Sequence, residues 1–255
     1  MKGPVNARTV LVFSGLDPSG GAGIAADLGA IGAQGVHALP VITALTVQDH
    51  NRVHALEPVD ASLIARQAQA LERTVAIHAV KIGIPGNRAN AEAIAACIVR
   101  LRRSQPNLPV VLDPVLASGH GDALAEGDAR AALGPLLALA TVITPNLGEA
   151  QLLDTWRCAH VLVTGGHGAG ALVVNRWSGQ GGEREWEWPR LAGDFHGSGC
   201  TLAAALAARL ALGERLEVAL GVAQAYVHRT LAAAFSIGAG QRIPQRFPPF
   251  IEERS

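Results

Sequence analysis

The chain has 255 residues, 49% of them apolar, with 21 basic and 21 acidic side chains. That balance excludes a disordered polymer and leaves no basic footprint for nucleic acid or an anionic membrane. Three cysteines, Cys97, Cys158 and Cys200, form no CxxC pair, which argues against a disulfide framework and for a reducing, cytoplasmic setting.

Residues 9–14 are predicted as a strand. Its apolar part, Val10-Leu-Val-Phe13, leads into Asp17-Pro18 and is too short for the core of a secretory leader. Residues 22–34 follow as a helix with Ile24, Leu28 and Ile31 at helical spacing. Residues 38–45 read as a strand, and 61–73 as a helix capped by Asp60. Residues 79–82 form a strand that contains Lys81, the only lysine besides Lys2; a solvated surface lysine is the bland reading. A helix over 89–103, a strand over 110–112, a helix over 128–140 and a strand over 142–144 complete this rhythm. Short strands alternating with helices of about 12 residues predict βαβ units, a mostly parallel sheet and right-handed crossovers that cover both faces.

Past Asn146 the pattern changes. Residues 147–153 allow one short helix, and 161–164 a strand. Residues 171–175 and 183–188 read as a hairpin around Gly179-Gln-Gly-Gly182. Two helices, 200–212 and 216–234, are separated by Gly213. No apolar run reaches the ~20 residues of a membrane span; Arg209 interrupts the best candidate. The tail, with Pro244, Pro248 and Pro249, is predicted irregular. With no repeat, linker or shift in composition, one domain over 1–255 is the simplest reading.

In open α/β sheets ligands bind beyond the carboxyl ends of the strands. All six predicted strand ends before the hairpin carry small or polar residues: Gly15 to Gly23, Thr46 to Gln48, Gly83, Asp113, Asn146 with Glu149 one turn on, and Gly165-Gly-His167. The loop Gly15-Leu-Asp-Pro-Ser-Gly-Gly-Ala-Gly23 is neither GxGxxG nor GxxxxGK[ST]. Its glycines suit either a plain strand-to-helix turn or close backbone approach to a ligand. Asp27, in the helix after it, is either a surface carboxylate or a group turned back to the pocket.

His196-Gly-Ser-Gly-Cys-Thr201 opens a helix. Helix starts leave amides unpaired and partly positive. Gly197 and Gly199 let the backbone fold around a tetrahedral anion, Ser198 and Thr201 add hydroxyl donors, and the helix end favours the Cys200 thiolate. The alternative is a capped helix with a buried cysteine. A cysteine hydrolase with His196 as base is a rival, but it leaves the first loop and Asn146…Glu149 without a role. Zinc is weaker, since His50 and His54 have no third ligand and HExxH is absent.

These segments, with Val41-Ile-Thr-Ala-Leu-Thr-Val-Gln48, Val80-Lys-Ile-Gly83, Val111-Leu-Asp-Pro-Val115 and Ile143-Thr-Pro-Asn-Leu-Gly-Glu-Ala150, resemble the hydroxymethylpyrimidine/phosphomethylpyrimidine kinases of thiamine biosynthesis, in the ribokinase-like superfamily. Cys200 carries much of the resemblance, because ribokinase relatives generally have Asp there. The resemblance implies a three-layer α/β/α fold around a mostly parallel sheet, ATP and Mg²⁺, and a homodimer. It implies that Gly15, Ala22, Asp27, Gln48, Ile84 and Val115 surround an aminopyrimidine, with Asp27 accepting from its exocyclic amine. It places Gly197, Ser198 and Gly199 on the transferring phosphoryl group and Cys200 beside the substrate hydroxymethyl as base or positioning group. Asp113 and Glu149 go to Mg²⁺, and Asn146, Thr164, Gly166, His167 and Thr201 to the nucleotide. The chain departs from the family on the nucleotide side: 153–161 is too short for the family's inserted helix, Thr164 replaces a lysine, and 179–194 is compact. Pyridoxal kinase activity, or pyrimidine binding without catalysis, are the alternatives.

Overall fold

The computed structural model describes residues 7–117, 121–122, 124–125, 127–166 and 168–247. The predicted residues Pro248 and Pro249, and His167, lie outside this set.

Among the described residues, nine strands form one sheet. In chain order the elements are β1 (Thr9–Leu16), α1 (Gly23–Ala33), β2 (His37–Gln48), β3 (Val53–Pro58), α2 (Ala61–Glu72), β4 (Ala79–Ile82), α3 (Arg88–Arg102), β5 (Val110–Leu112), α4 (Ala129–Leu137) and β6 (Val142–Ile143). They continue with α5 (Leu147–Leu152), a 3-10 turn (Thr155–Arg157), β7 (His160–Val163), β8 (Leu172–Gly179), β9 (Gly182–Pro189), α6 (Ser198–Ala211) and α7 (Leu216–Ala232). The strand order is β3-β2-β1-β4-β5-β6-β7-β8-β9. From β2 to β7 all pairings are parallel, and both edges are antiparallel.

Alternation along β1 divides the core in two. Val10 and Val12 join the layer that contains residues of α1, α6 and α7. Leu11 and Phe13 join the layer that contains residues of α2, α3 and α4. Strands buried on both faces read as continuous apolar runs, which is why 79–82 and 110–112 were legible to the residue. Asp60 caps α2 as expected, accepting from the amides of Ser62 and Leu63.

Several predicted boundaries move, and one strand is new. β2 runs on to Gln48, because it pairs with β3, a strand absent from the sequence reading. β3 is a half-exposed edge, so it carries no strong apolar pattern. α4 stops at Leu137 rather than 140, two residues after the proline inside it.

β1 has β2 on one side and β4 on the other, so successive crossovers depart in opposite directions. A crevice opens at such a reversal, beyond the carboxyl ends of the strands.

Candidate active site

The loop after β1 is built around Asp17. One carboxylate oxygen accepts from the Ser19 amide at 2.8 Å, and the other accepts from the Ala22 amide at 2.7 Å and the Ser19 hydroxyl at 2.9 Å. His196 Nε2 lies 2.8 Å from the same second oxygen. Burial alone would raise this acid, but the hydrogen bonds from His196 and Ser19 outweigh it and hold the carboxyl well below the usual range. Sequence patterns assign Asp17 no role of its own; an acid inside a glycine loop, followed two residues on by serine, is the signal for this turn.

The bond to His196 fastens that loop to the start of α6. Gly197 is the N-cap, left-handed at φ 79°, and no side chain caps the helix. The first-turn amides therefore remain free for an anion. Gly199 is exposed and Ser198 half-buried. A Cβ on Gly199 would stand 3.7 and 3.8 Å from the two carboxylate oxygens of Asp113, so Asp113, just past β5, faces this turn. Thr201 is a correction. It is fully buried, and its hydroxyl donates to the Gly197 carbonyl at 2.7 Å, so helical periodicity turns it away from the mouth and it does not serve as an anion donor.

Beneath the turn lies a charge cluster. Lys81 on β4 and Asp27 on α1 are both fully buried, with Nζ at 2.8 and 2.9 Å from the two carboxylate oxygens. Burial would lower the lysine, but Asp27 above all holds it charged, with Cys200 and Asp113 adding to the effect. Two expectations change here. Asp27 is spent on Lys81 and is closed to solvent, so it is not an open acceptor for a substrate amine. Lys81 is no surface lysine but the cation at the centre of the site.

Cys200 is half-buried. The charges of Lys81, Asp113 and Asp27 all act on its thiol. Burial pushes the thiol up to about 12, against the pull of Lys81. The expected thiolate is thus overturned: desolvation and two neighbouring carboxylates outweigh the helix end. Burial also lifts Asp113 to about 6, and burial plus the charge of Asp113 lifts Glu149 to about 7.

Asn146 and Glu149 form a capping box at α5, with reciprocal bonds of 2.9 and 2.8 Å. Asp113 Oδ2 is buried with no hydrogen-bond partner among the described residues. Two hard carboxylates, the charge of one raising the other and one with a bare oxygen, suit a magnesium ion shared with phosphate oxygens. Among the described residues no cluster of three or more His, Cys, Asp or Glu could form a protein-only metal site.

Asn146 and Thr164 are bridged in parallel pairing. Beyond Thr164, the Gly165 amide donates to Asn175 at 2.9 Å, and Arg190 donates to the Gly166 carbonyl at 2.7 Å and the Gly170 carbonyl at 2.8 Å. Arg190 thus braces the turn from the compact 179–194 segment. Gly15 and Ile84 meet: a Cβ on Gly15 would lie 2.6 Å from the Ile84 side chain. Gln48 ends β2, and Val115 lies two residues past Asp113, its amide bonded to the Asp113 carbonyl at 2.9 Å. The hydrolase rival loses its base, since His196 Nε2 is held by Asp17 at 2.8 Å. His50 meets the Ala239 carbonyl at 3.0 Å and His54 lies 3.7 Å from Asp49, so each has its own neighbour.

The model of a family described as phosphomethylpyrimidine kinase matches residues 17–158 and 151–245. A hydroxymethylpyrimidine/phosphomethylpyrimidine kinase of Rhizobium meliloti (strain 1021) is 40% identical over 257 residues, covering 91% of this chain and 93% of the relative. Among solved structures, an ADP complex of Bacillus subtilis pyridoxal kinase superposes with a TM-score of 0.84 at 26% identity, covering 94% of this chain and 97% of that one. A phosphomethylpyrimidine kinase from Clostridium difficile 630 gives 0.73 at 28% identity, covering 88% and 99%. Matched by that family model over most of its length and 40% identical to a relative that it covers almost end to end, the chain belongs to the phosphomethylpyrimidine kinase family.

Proposed function

We propose that the chain transfers the terminal phosphoryl group of ATP to the hydroxymethyl oxygen of 4-amino-5-hydroxymethyl-2-methylpyrimidine in thiamine biosynthesis, and then phosphorylates the monophosphate. The observation that carries this reading is the uncapped start of α6, with Cys200 and Asp113 beside it. The substrate oxygen bonds to the terminal phosphorus as the bond to ADP breaks, and the hydroxyl proton is released. The amides of 198–200 stabilise the oxygens of the migrating group. Cys200, a weak acid in this site, orients the acceptor hydroxyl. Phosphoryl approach makes that hydroxyl acidic late, as a loose transition state allows, so its proton leaves to an oxygen of the transferred group and needs no thiolate. Asp113 and Glu149 would hold Mg²⁺, which supplies charge neutralisation of the phosphates. Asn146, Thr164 and Gly166 would line the nucleotide side; Gly15, Ala22, Ile84 and Val115 would pack on the ring, with Gln48 offering it a donor and an acceptor. We place this kinase domain in the cytoplasm as a homodimer.

Pyridoxal is the second acceptor to consider. The Bacillus subtilis neighbour is a pyridoxal kinase, and with Asp27 committed to Lys81, Gln48 is the one polar ring-facing group of the proposed pocket. Incubation with each alcohol and Mg·ATP, followed by mass analysis, tests the proposal. The expected products are pyrimidine mono- and diphosphate. Phosphorylation of pyridoxal alone would replace this reading, and tight pyrimidine binding without turnover would make the protein a binder.

A further inference from the structure

The start of α6 has no side-chain cap, yet its left-handed N-cap is held against the loop after β1. Arg246, beyond α7, does this. Its side chain is almost wholly buried. Nε donates to the Thr201 hydroxyl at 3.0 Å, and Nη2 donates to the carbonyl of Gly21. The Thr201 hydroxyl passes the link on to the Gly197 carbonyl. A Cβ on Gly197 would fall 2.0 Å from the Gly21 carbonyl oxygen and 2.9 Å from Arg246 Nη2, so loop, cradle and guanidinium meet at one point.

The surroundings are shaped for this contact. A Cβ on Gly29 of α1 would stand 3.2 Å from Arg246 Cδ. Tyr226 donates to the Arg246 carbonyl at 2.9 Å, and the Gln245 amide donates to the Thr230 carbonyl at 3.0 Å. The tail is therefore fastened on either side of the arginine. The carboxylates of Asp17 and Asp27 act on its charge from a distance, but each already has its own partner, His196 and Lys81. A guanidinium stays charged, so positive charge remains behind the anion cradle, where no Walker lysine exists.

We infer that Arg246 is a positioning residue for phosphoryl transfer: its guanidinium locks the loop after β1 to the first turn of α6 and sets a buried positive charge behind the phosphate. The inference rests on the kinase reading above. The test compares Arg246→Gln and Arg246→Lys with the unaltered protein in turnover of hydroxymethylpyrimidine, in Mg·ADP affinity by calorimetry, and in thermal unfolding. Arg246→Gln is expected to lower kcat about 10- to 100-fold per folded molecule, with a several-fold loss in Mg·ADP affinity. Arg246→Lys is expected to recover the affinity, which needs charge, more than kcat, which needs the fork. A purely structural arginine would lower the unfolding temperature and leave kcat and affinity within twofold; that result overturns the inference. If Arg246→Gln does not fold, Thr201→Val cuts the same link without removing the charge, and unchanged kcat there overturns it equally. If the unaltered protein phosphorylates neither alcohol, the kinase reading falls, and Mg·ADP affinity of the same variants still decides the role of Arg246.

Discussion

Replacing Gly197 by alanine tests the cradle most directly. Its φ of 79° is left-handed, which costs an alanine about 1–2 kcal/mol. The new Cβ would also stand 2.0 Å from the Gly21 carbonyl oxygen. Ordinary carbon contacts begin at about 3.5 Å, so the loop after β1 or the start of α6 must retreat by more than about 1 Å. Misplacement by about 1 Å in an aligned transfer costs on the order of 100-fold in rate. Gly213, past the other end of α6, supplies the control: its φ is 86°, and nothing lies within 4 Å of a Cβ placed there. Gly213→Ala has the strain without the collision. Both variants should lose about 2–8 °C in unfolding temperature, from strain of this size in a chain of this length. Only Gly197→Ala should lose about 100-fold in kcat, measured by a coupled ADP assay with hydroxymethylpyrimidine. If the two variants turn over alike, the contact between loop and helix start does not position the phosphoryl group, and the argument for the cradle is refuted.

Lys81→Met leaves the Asp27 carboxylate buried without its cation and should destabilise by about 3–5 kcal/mol; Asp27→Leu with Lys81→Met should recover most of this in urea midpoints at constant slope, and a double variant no better than the single one would show that the ion pair is not what the lysine contributes. The raised carboxyls of Asp113, about 6, and Glu149, about 7, bind protons in the folded chain that the unfolded chain has already released. Their contribution to stability is therefore whole below about pH 4 and is lost as pH rises through 6 to 7. Magnesium competes for the same oxygens, so the rise in unfolding temperature given by Mg·ADP should be larger at pH 8 than at pH 5.5. Asp113→Asn should flatten that difference, and an equal rise at both pH values in the unaltered protein would remove these carboxylates from the cation site. Cys200→Ala should lower kcat by about 100-fold while pyrimidine affinity measured by calorimetry changes little; equal losses in both would make the thiol a packing group.

The central strands were legible because burial on two faces leaves little but apolar residues. β3 was not: an edge strand needs only one partner and half a face, and Val53-His-Ala-Leu-Glu-Pro58 has no alternation strong enough to betray it. The start of α6 was legible because the glycines of His196-Gly-Ser-Gly199 break the chain just before a long apolar helical run. Arg246 was not, since nothing in the surrounding Pro244-Gln-Arg-Phe247 signals that the tail folds back beneath α6.

Asp27 and Lys81 lie between these cases, and they change what the site recognises. Ile24, Asp27 and Ile31 are spaced three and four apart, so the acid sits on the apolar face of α1, and Lys81 lies between Val80 and Ile82 in a strand buried on both sides. A carboxylate and an ammonium each forced inward must find one another or neutralise, so periodicity held the signal for a pair that the surface reading of Lys81 passed over. The charge so fixed acts on Cys200 and Asp113, on the side of the site where phosphate and acceptor oxygen meet whichever ring carries the alcohol. On the proposed assignment, ring selection would then come from Gln48 with the apolar contacts of Ile84 and Val115. A site whose charged machinery is indifferent to the ring, and whose ring contacts are few, can change acceptor through a small number of substitutions at the crevice while α6 and its supports stay as they are.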